Sequence, residues 1–438
     1  MSLSPAAAEF DVAVVGGGPA GSAAATTLAR RGHRVVLFER DDFPRFHIGE
    51  SLLAAANPSF DALGVTEKIR AAGFTEKWGA TLLTHLGAEG TPVDFSQSRE
   101  VPRPQTWQVC REKFDTLLLD HARESGAEVR LRQRVESAEF DGDGVTLRVA
   151  AAEGAASEVR ARAMVDATGR AGLLARRFDL RYDEPQLANV AIYAHFSGVP
   201  RLPGKRAGDI RIVGREDAGW FWVIPIDEQL TSVGVVLPMA IYARLEKGSP
   251  ESMLQAAVAG TPAMAALMRE ARREWPVRVE KDYSYGARAY VGDRWLLAGD
   301  AGSFLDPVFS SGVSIALESG IEAGRELSAA LAGDDFRAAR FAAFDRVQRR
   351  RYQLFRRFVT GFYTPWFRDV FFQPDAPPAI FRAVITVLAG HWRVSWRTRA
   401  LLELFFLAVR VQRRFRIAEP IVRRDAVAFP DAGLPEAD

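Results

Sequence analysis

The chain has 438 residues, more than a single hydrophobic core usually serves, so two domains are expected. Its 57 basic and 55 acidic residues leave a net charge of +2, which gives no whole-molecule case for nucleic acid as a partner. The single cysteine, Cys110, excludes an internal disulfide and a cysteine metal site, and it fits a reducing, cytoplasmic compartment.

The first ten residues, MSLSPAAAEF, have neither the basic start nor the long apolar core of a secretory signal. Residues 10–40, FDVAVVGGGPAGSAAATTLARRGHRVVLFER, then read as a strand, a glycine turn, a small-residue helix and a second strand. Gly16, Gly18 and Gly21 fall at the G-x-G-x-x-G spacing, with Pro19 and Ala20 between them. Gly16 permits the tight turn, Gly18 lets a pyrophosphate approach the backbone, and Gly21 lets helix and strand pack closely. Glu39 ends the second strand, where an acid accepts from a ribose hydroxyl. Strand, helix, strand and acid in register make this a dinucleotide site rather than a chance run of glycines. No second unit of this kind occurs, so no NAD(P)H domain is expected.

Further along, FPRFHIGESLL (43–53), GFTEKWGATLL (73–83) and VCREKFD (109–115) are short motifs between elements. AMVDATGRAG (163–172) is a strand ending near Thr168-Gly169. Residues of about 180–290 are sheet-rich and include GWFWVIPI (219–226), with Trp220 and Trp222 on one strand face and Phe221 on the other. DRWLLAGDAGSFLDPVFSSG (293–312) is a strand, then Gly299-Asp300, then a loop into a helix. RLPGKRAGD (201–209) reads as an exposed loop. From Arg346 to Arg424 there are 17 arginines and four acids among many aromatics, at helical spacing. Three readings stand for that region: helices packed on the substrate domain with basic outer faces, a docking surface for an acidic carrier protein, or a membrane-surface helix. LLELFFLAVRVQ (401–412) is too short and too polar to span a bilayer.

Three distant segments converging on one long dinucleotide resemble the FAD monooxygenase-type fold. That resemblance implies an α/β chain: a Rossmann-like βαβ FAD domain, a β-sheet substrate domain and a C-terminal helical region. The expected division is 8–180 with 280–335 for FAD (lending about 75–108 to the substrate side), 181–279 for substrate, 336–424 helical, and 425–438 a disordered tail. It further implies that FAD is met by Gly16, Gly18, Pro19, Ala20, Gly21, Glu39, Arg40, Arg45, Glu50, Ser51, Arg111, Asp166, Gly169, Gly299, Asp300, Pro307, Gly312 and Val313. Asp300 would hold the ribityl chain.

Within that fold the chain resembles the flavin-dependent halogenases over about residues 8–330. The W-x-W-x-I-P signature matches at Trp220, Trp222, Ile224 and Pro225, and F-x-x-P-x-x-S-x-G matches at Phe304, Pro307, Ser310 and Gly312. The branch acting on phenols and pyrroles, often on acyl or peptidyl carrier proteins, looks closest, and tryptophan halogenases look more distant. The resemblance implies that reduced flavin and O₂ turn chloride or bromide into hypohalous acid, with a separate NAD(P)H-dependent flavin reductase as partner. The family's catalytic lysine falls on Lys77, one of only six lysines in the chain. An arginine could not replace it, because it stays protonated. Phe74 and Trp78 are expected to wall it and lower its pKa. Trp220 and Trp222 would separate flavin from substrate, Pro225 would fix a turn near the flavin, and the backbone of Ser311 and Gly312 would bind halide. Lys68 reads as surface, and His47 and His85 as structural. No metal cluster is evident and the general base is open. Hydroxylases, dehydrogenases and double-bond reductases share the scaffold, and halide dependence separates them from a halogenase.

Overall fold

The computed structural model describes residues 9–87, 90–151, 156–245, 248–373 and 377–420; the expected tail, 425–438, lies outside them. Two eight-stranded sheets organise the chain. In the first, Phe10–Val15 pairs in parallel with Val35–Phe38 on one side and Ser157–Asp166 on the other. Ser157–Asp166 pairs in parallel with Trp295–Leu297. Residues 12–15 and 163–165, with Val35–Phe38 and Trp295–Leu297, are apolar and buried because helices cover the sheet. The helix Pro19–Ala29 lies against the long helix Gly312–Gly333, and small residues set their spacing. A Cβ on Gly320 would sit 2.2 Å from the Ala20 carbonyl oxygen, and one on Gly21 would sit 1.8 Å from that of Gly16. The glycines therefore bring the carboxyl ends of the strands and two helix N-termini to one cleft.

The second sheet collects strands from three parts of the chain: Gly79–Leu83 and Thr91–Asp94, then the run from Arg181 to Pro238, then Arg278–Ala287. Trp220–Pro225 is central, antiparallel to both Ile210–Gly214 and Thr231–Pro238, and buried at every position. Its alternation splits two cores. Phe221 and Val223 face the helices at 250–267, while Trp220, Trp222 and Ile224 face the C-terminal helices.

Those helices, Ala342–Phe362, Pro365–Phe371, Pro378–Leu388 and Trp396–Phe415, supply a layer of phenylalanines. Phe358, Phe367, Phe405 and Phe406 interlock edge to face or stacked, and Phe362 meets Trp220 edge-on at 6.3 Å between centroids. The expectation of outward-facing arginines fails at two positions. Arg351 and Arg368 are each 1 % exposed. Arg368 donates from Nε to the Phe362 carbonyl and from its two terminal nitrogens to the carbonyls of Asp217, Ala218 and Gly219. A buried guanidinium with a carbonyl on each of its three nitrogens is a structural clamp on the residues entering the Trp220 strand.

Candidate active site

A cavity of about 1560 Å³ runs from the glycine loop to the aromatic face of the second sheet. That exceeds the roughly 300–1,000 Å³ of a pocket for one small ligand and leaves room for a dinucleotide and a second molecule. At its nucleotide end Gly16 has φ +108°, and a Cβ there would lie 2.2 Å from the Ala167 carbonyl oxygen. Glu39 takes the Gly17 amide on Oε2 at 2.6 Å and the Asp41 amide on Oε1 at 2.9 Å. Arg45 lines the cleft beside Gly18, and its Nε is buried without a hydrogen-bond partner among the described residues. An unsatisfied guanidinium nitrogen next to an open glycine turn is a ready partner for a pyrophosphate. Arg40, Gly169, Asp300, Pro307, Gly312 and Val313 also line the cavity. Burial pushes the Asp300 carboxyl up to about 6.

Some expected contacts lie elsewhere. Asp166 does not line the cavity; it is fully buried and accepts from the Thr168 amide and hydroxyl and from the Leu174 amide. It shapes the turn that presents Ala167, Thr168 and Gly169. Arg111 does line the cavity, but its fork is spent on both oxygens of Asp115 and on the carbonyls of Ile48 and Gly49. Its visible task is to hold the 48–51 loop. His47 is exposed at the rim, with Nδ1 2.6 Å from the Ile48 carbonyl, and His85 lies 3.9 Å from Glu216, outside the lining. Lys68 pairs on the surface with Glu124. Among the described residues no cluster could hold a metal ion, and no helix is long and apolar enough to cross a membrane.

Lys77 ends the short strand Thr75–Lys77 and is 1 % exposed. Its Nζ donates to Ser51 Oγ and to the Leu52 carbonyl, both at 2.8 Å. Burial pulls its ammonium down to about 7, and the Asp209 charge only partly opposes this. The aromatic neighbour is Phe95, 5.5 Å from Nζ to the ring centre, not the expected pair. Phe74 instead meets Phe114 edge to face and lies under Lys113, and Trp78 carries Lys205. Asp209 is no exposed loop residue either: it is buried and takes the amides of Trp78 and Gly79. Lys77 thus lies one hydroxyl behind the cavity, because Ser51 lines it and Lys77 does not.

A family model described as an FAD binding domain matches residues 9–357. The 1H-pyrrole-2-carbonyl-[peptidyl-carrier protein] chlorinase of Pseudomonas fluorescens is 34 % identical over 81 % of this chain and 84 % of its own length. The chain belongs to the flavin-dependent halogenases. FAD is the cofactor of such a halogenase, and the glycine cradle with Arg45 fits it. A tryptophan 2-halogenase from Chondromyces crocatus is 35 % identical over 80 % of this chain and 67 % of its own, so by identity tryptophan halogenases stand no further away than pyrrole ones. The solved flavin-dependent brominase Bmp2 superposes with a TM-score of 0.81 at 31 % identity, over 92 % of this chain and 99 % of that one. The likeness therefore extends well beyond residue 330, into the C-terminal helices.

Those helices line none of the halogenase cavity but back its aromatic face. Trp220 Nε1 donates to Tyr363 Oη at 2.8 Å, and Tyr363 donates to Asp306 Oδ2 at 2.8 Å, which also takes Asn189 Nδ2. Burial raises the Asp306 carboxyl. Trp222 Nε1 donates to Ser232 Oγ at 3.1 Å, and the two indole rings are 6.0 Å apart. Pro225 closes this strand and does not line the cavity. Tyr363, Asp306 and Asn189 have no individual signal in the sequence; only the placing of Asp306 inside FLDPVFSSG points to the site. Gly234 faces Trp222 across the sheet, and a Cβ there would lie 2.2 Å from the indole. Gly234→Ala must tilt that ring, at a cost of about 1–3 kcal/mol. The expected outcome is a lower melting temperature and more oxidising halogen escaping per product formed, measured with a soluble halogen trap.

Proposed function

We propose that the chain chlorinates or brominates an electron-rich phenol or pyrrole ring, with Lys77 passing the halogen. Lys77 carries this reading. A neutral amine commits its two hydrogens to Ser51 and Leu52 and keeps its lone pair uncommitted. With the ammonium pulled down to about 7, a substantial share is neutral at physiological pH. Bound FAD, reduced and with O₂, supplies the oxidant that turns halide into hypohalous acid. The amine then either hydrogen-bonds that acid or forms an N–halogen bond as the O–halogen bond breaks, releasing water. Trp220 and Trp222 wall the cavity so that halogen does not escape and substrate does not meet the oxidant directly. The amides of Ser311 and Gly312 open the 22-residue helix Gly312–Gly333, a positive end beside which a halide can rest. Among the described residues a Cβ on Gly312 would meet nothing within 4 Å, so the approach is open.

A cytoplasmic flavin reductase is the proposed source of reduced FAD, supported by the single dinucleotide unit. A ring tethered to a peptidyl carrier is the proposed form of a pyrrole substrate, supported by the carrier-dependent relative and by its coverage of 84 % against 67 % for the tryptophan enzyme. The test offers four substrates in parallel: free phenol, free pyrrole, pyrrole-2-carbonyl on a peptidyl carrier, and tryptophan. Mass spectrometry reads the isotope pattern of incorporated bromine or chlorine. Incorporation into a phenol or pyrrole is expected, and incorporation into tryptophan alone would overturn the reading.

A further inference from the structure

Halogen transfer from Lys77 makes no use of Glu50, although Glu50 lines the same cavity one residue from Ser51. Its side chain is buried, and Oε1 lies 2.6 Å from Nε2 of His195, itself 3 % exposed. Two rings hold the imidazole: Trp275, tilted, lies 4.6 Å away between centroids and Phe46 meets it edge-on at 6.1 Å. The backbone is fixed too, because the Glu50 carbonyl takes the Val109 amide at 2.7 Å. Among the described residues no donor reaches Oε2. A buried carboxyl with one oxygen anchored by a clamped histidine and the other uncommitted is a preorganised proton acceptor.

We propose that Glu50, positioned by His195, takes the proton of the substrate's ring O–H or N–H as the halogen arrives. This rests on the phenol or pyrrole reading and narrows it to rings whose activating heteroatom carries a hydrogen. The step balances. As the carbon–halogen bond forms and the halogen–oxygen bond of hypohalous acid breaks, hydroxide leaves. The O–H or N–H electron pair flows into the ring while its proton goes to Glu50. Hydroxide then removes the ring C–H proton as water, and Glu50 returns its proton to the heteroatom. The sum is arene plus hypohalous acid to haloarene plus water, with no further oxidant or reductant. His195 touches neither ring nor halogen in this scheme and is a positioning residue.

Two substrate pairs test it with the FAD-loaded protein: phenol against anisole, and pyrrole against N-methylpyrrole. Each is run beside a soluble halogen trap, for wild type, Glu50→Gln and His195→Gln. Wild type is expected to favour the unmethylated member by about 100-fold, the lower range for one positioned acid–base group. In Glu50→Gln the aryl product falls about 100-fold more than trapped halogen does, and the preference within each pair collapses. His195→Gln has a smaller loss of aryl product and a partial loss of the preference within each pair while trapped halogen stays at the wild-type level, which mere loosening of the fold would not do. Equal turnover of both members by wild type overturns the proposal, as does Glu50→Gln retaining the preference. Parallel loss of trapped halogen and product would assign Glu50 to the flavin half instead and also overturn it. Wild type that halogenates neither pair but does halogenate tryptophan sinks the phenol or pyrrole reading itself, a distinct result.

Discussion

Lys77→Met will abolish aryl halogenation, by at least about 1,000-fold, while halide-dependent formation of trapped oxidising halogen persists. Met has nearly the volume of Lys and no amine, so the neighbours at Ser51, Leu52 and Phe95 keep their packing. The same change is expected to stabilise the protein. The folded-state value for Lys77 is about 7, against an ordinary value of 10.5. Between those values the unfolded chain binds the extra proton, so stability rises with pH across the window. Below about pH 7 the penalty for burying this lysine is complete, on the order of 5 kcal/mol, and it fades as the pH approaches 10.5. Losing the donor to Ser51 Oγ and the Leu52 carbonyl returns about 1–3 kcal/mol of that gain. The net result at pH 7 is a melting temperature several degrees higher in an enzyme that makes no product, and differential scanning calorimetry beside product assays reads both. Loss of activity with a lower melting temperature would mean that Lys77 is structural. In wild type the same titration gives aryl halogenation a limb that rises with pH and levels off above about 7.

Arg368→Leu will be among the most destabilising single changes in the chain. Burial pulls the guanidinium down to about 10, so it stays charged at neutral pH, and four carbonyls receive its hydrogens. Removing it leaves buried acceptors unsatisfied at the entry to the Trp220 strand, at about 3–5 kcal/mol. The ring of Phe362 also loses its cation at 4.5 Å. Lysine is not expected to rescue, because one ammonium cannot serve carbonyls on both sides of a planar fork. Chemical denaturation reads the stability. Limited proteolysis near residues 215–220 and 362–372 reads the local effect, and unaltered protection there would contradict the clamp.

The nucleotide end was legible because its chemistry is local. Gly16, Gly18, Gly21 and Glu39 lie within one βαβ unit, and the close approaches their spacing implies are present. The alternation of Trp220, Phe221 and Trp222 was legible for the same reason. Surroundings assembled from distant segments were not. The ring beside Lys77 comes from residue 95 and its opposing charge from residue 209, so neighbours in sequence were poor guides. Glu50 and His195 meet across 145 residues, and Trp220 and Tyr363 across 143. The arginines of the last hundred residues look alike in composition. Burial separates Arg368, spent on backbone carbonyls, from Arg414, exposed on an outer helix. Asp166 misled because it sits beside the residues that do line the cleft, with its own oxygens turned to the turn behind them.

The most direct test of the whole account needs no organic substrate. The anaerobically reduced FAD-loaded protein is mixed with O₂ while bromide and then chloride are titrated, and a soluble trap counts oxidising halogen. Trapped halogen is expected to rise with halide and saturate, in wild type and in Lys77→Met alike. Oxygen consumed without any trapped halogen at any halide concentration would contradict it, and would return the cavity, Lys77 included, to a flavin enzyme of another kind.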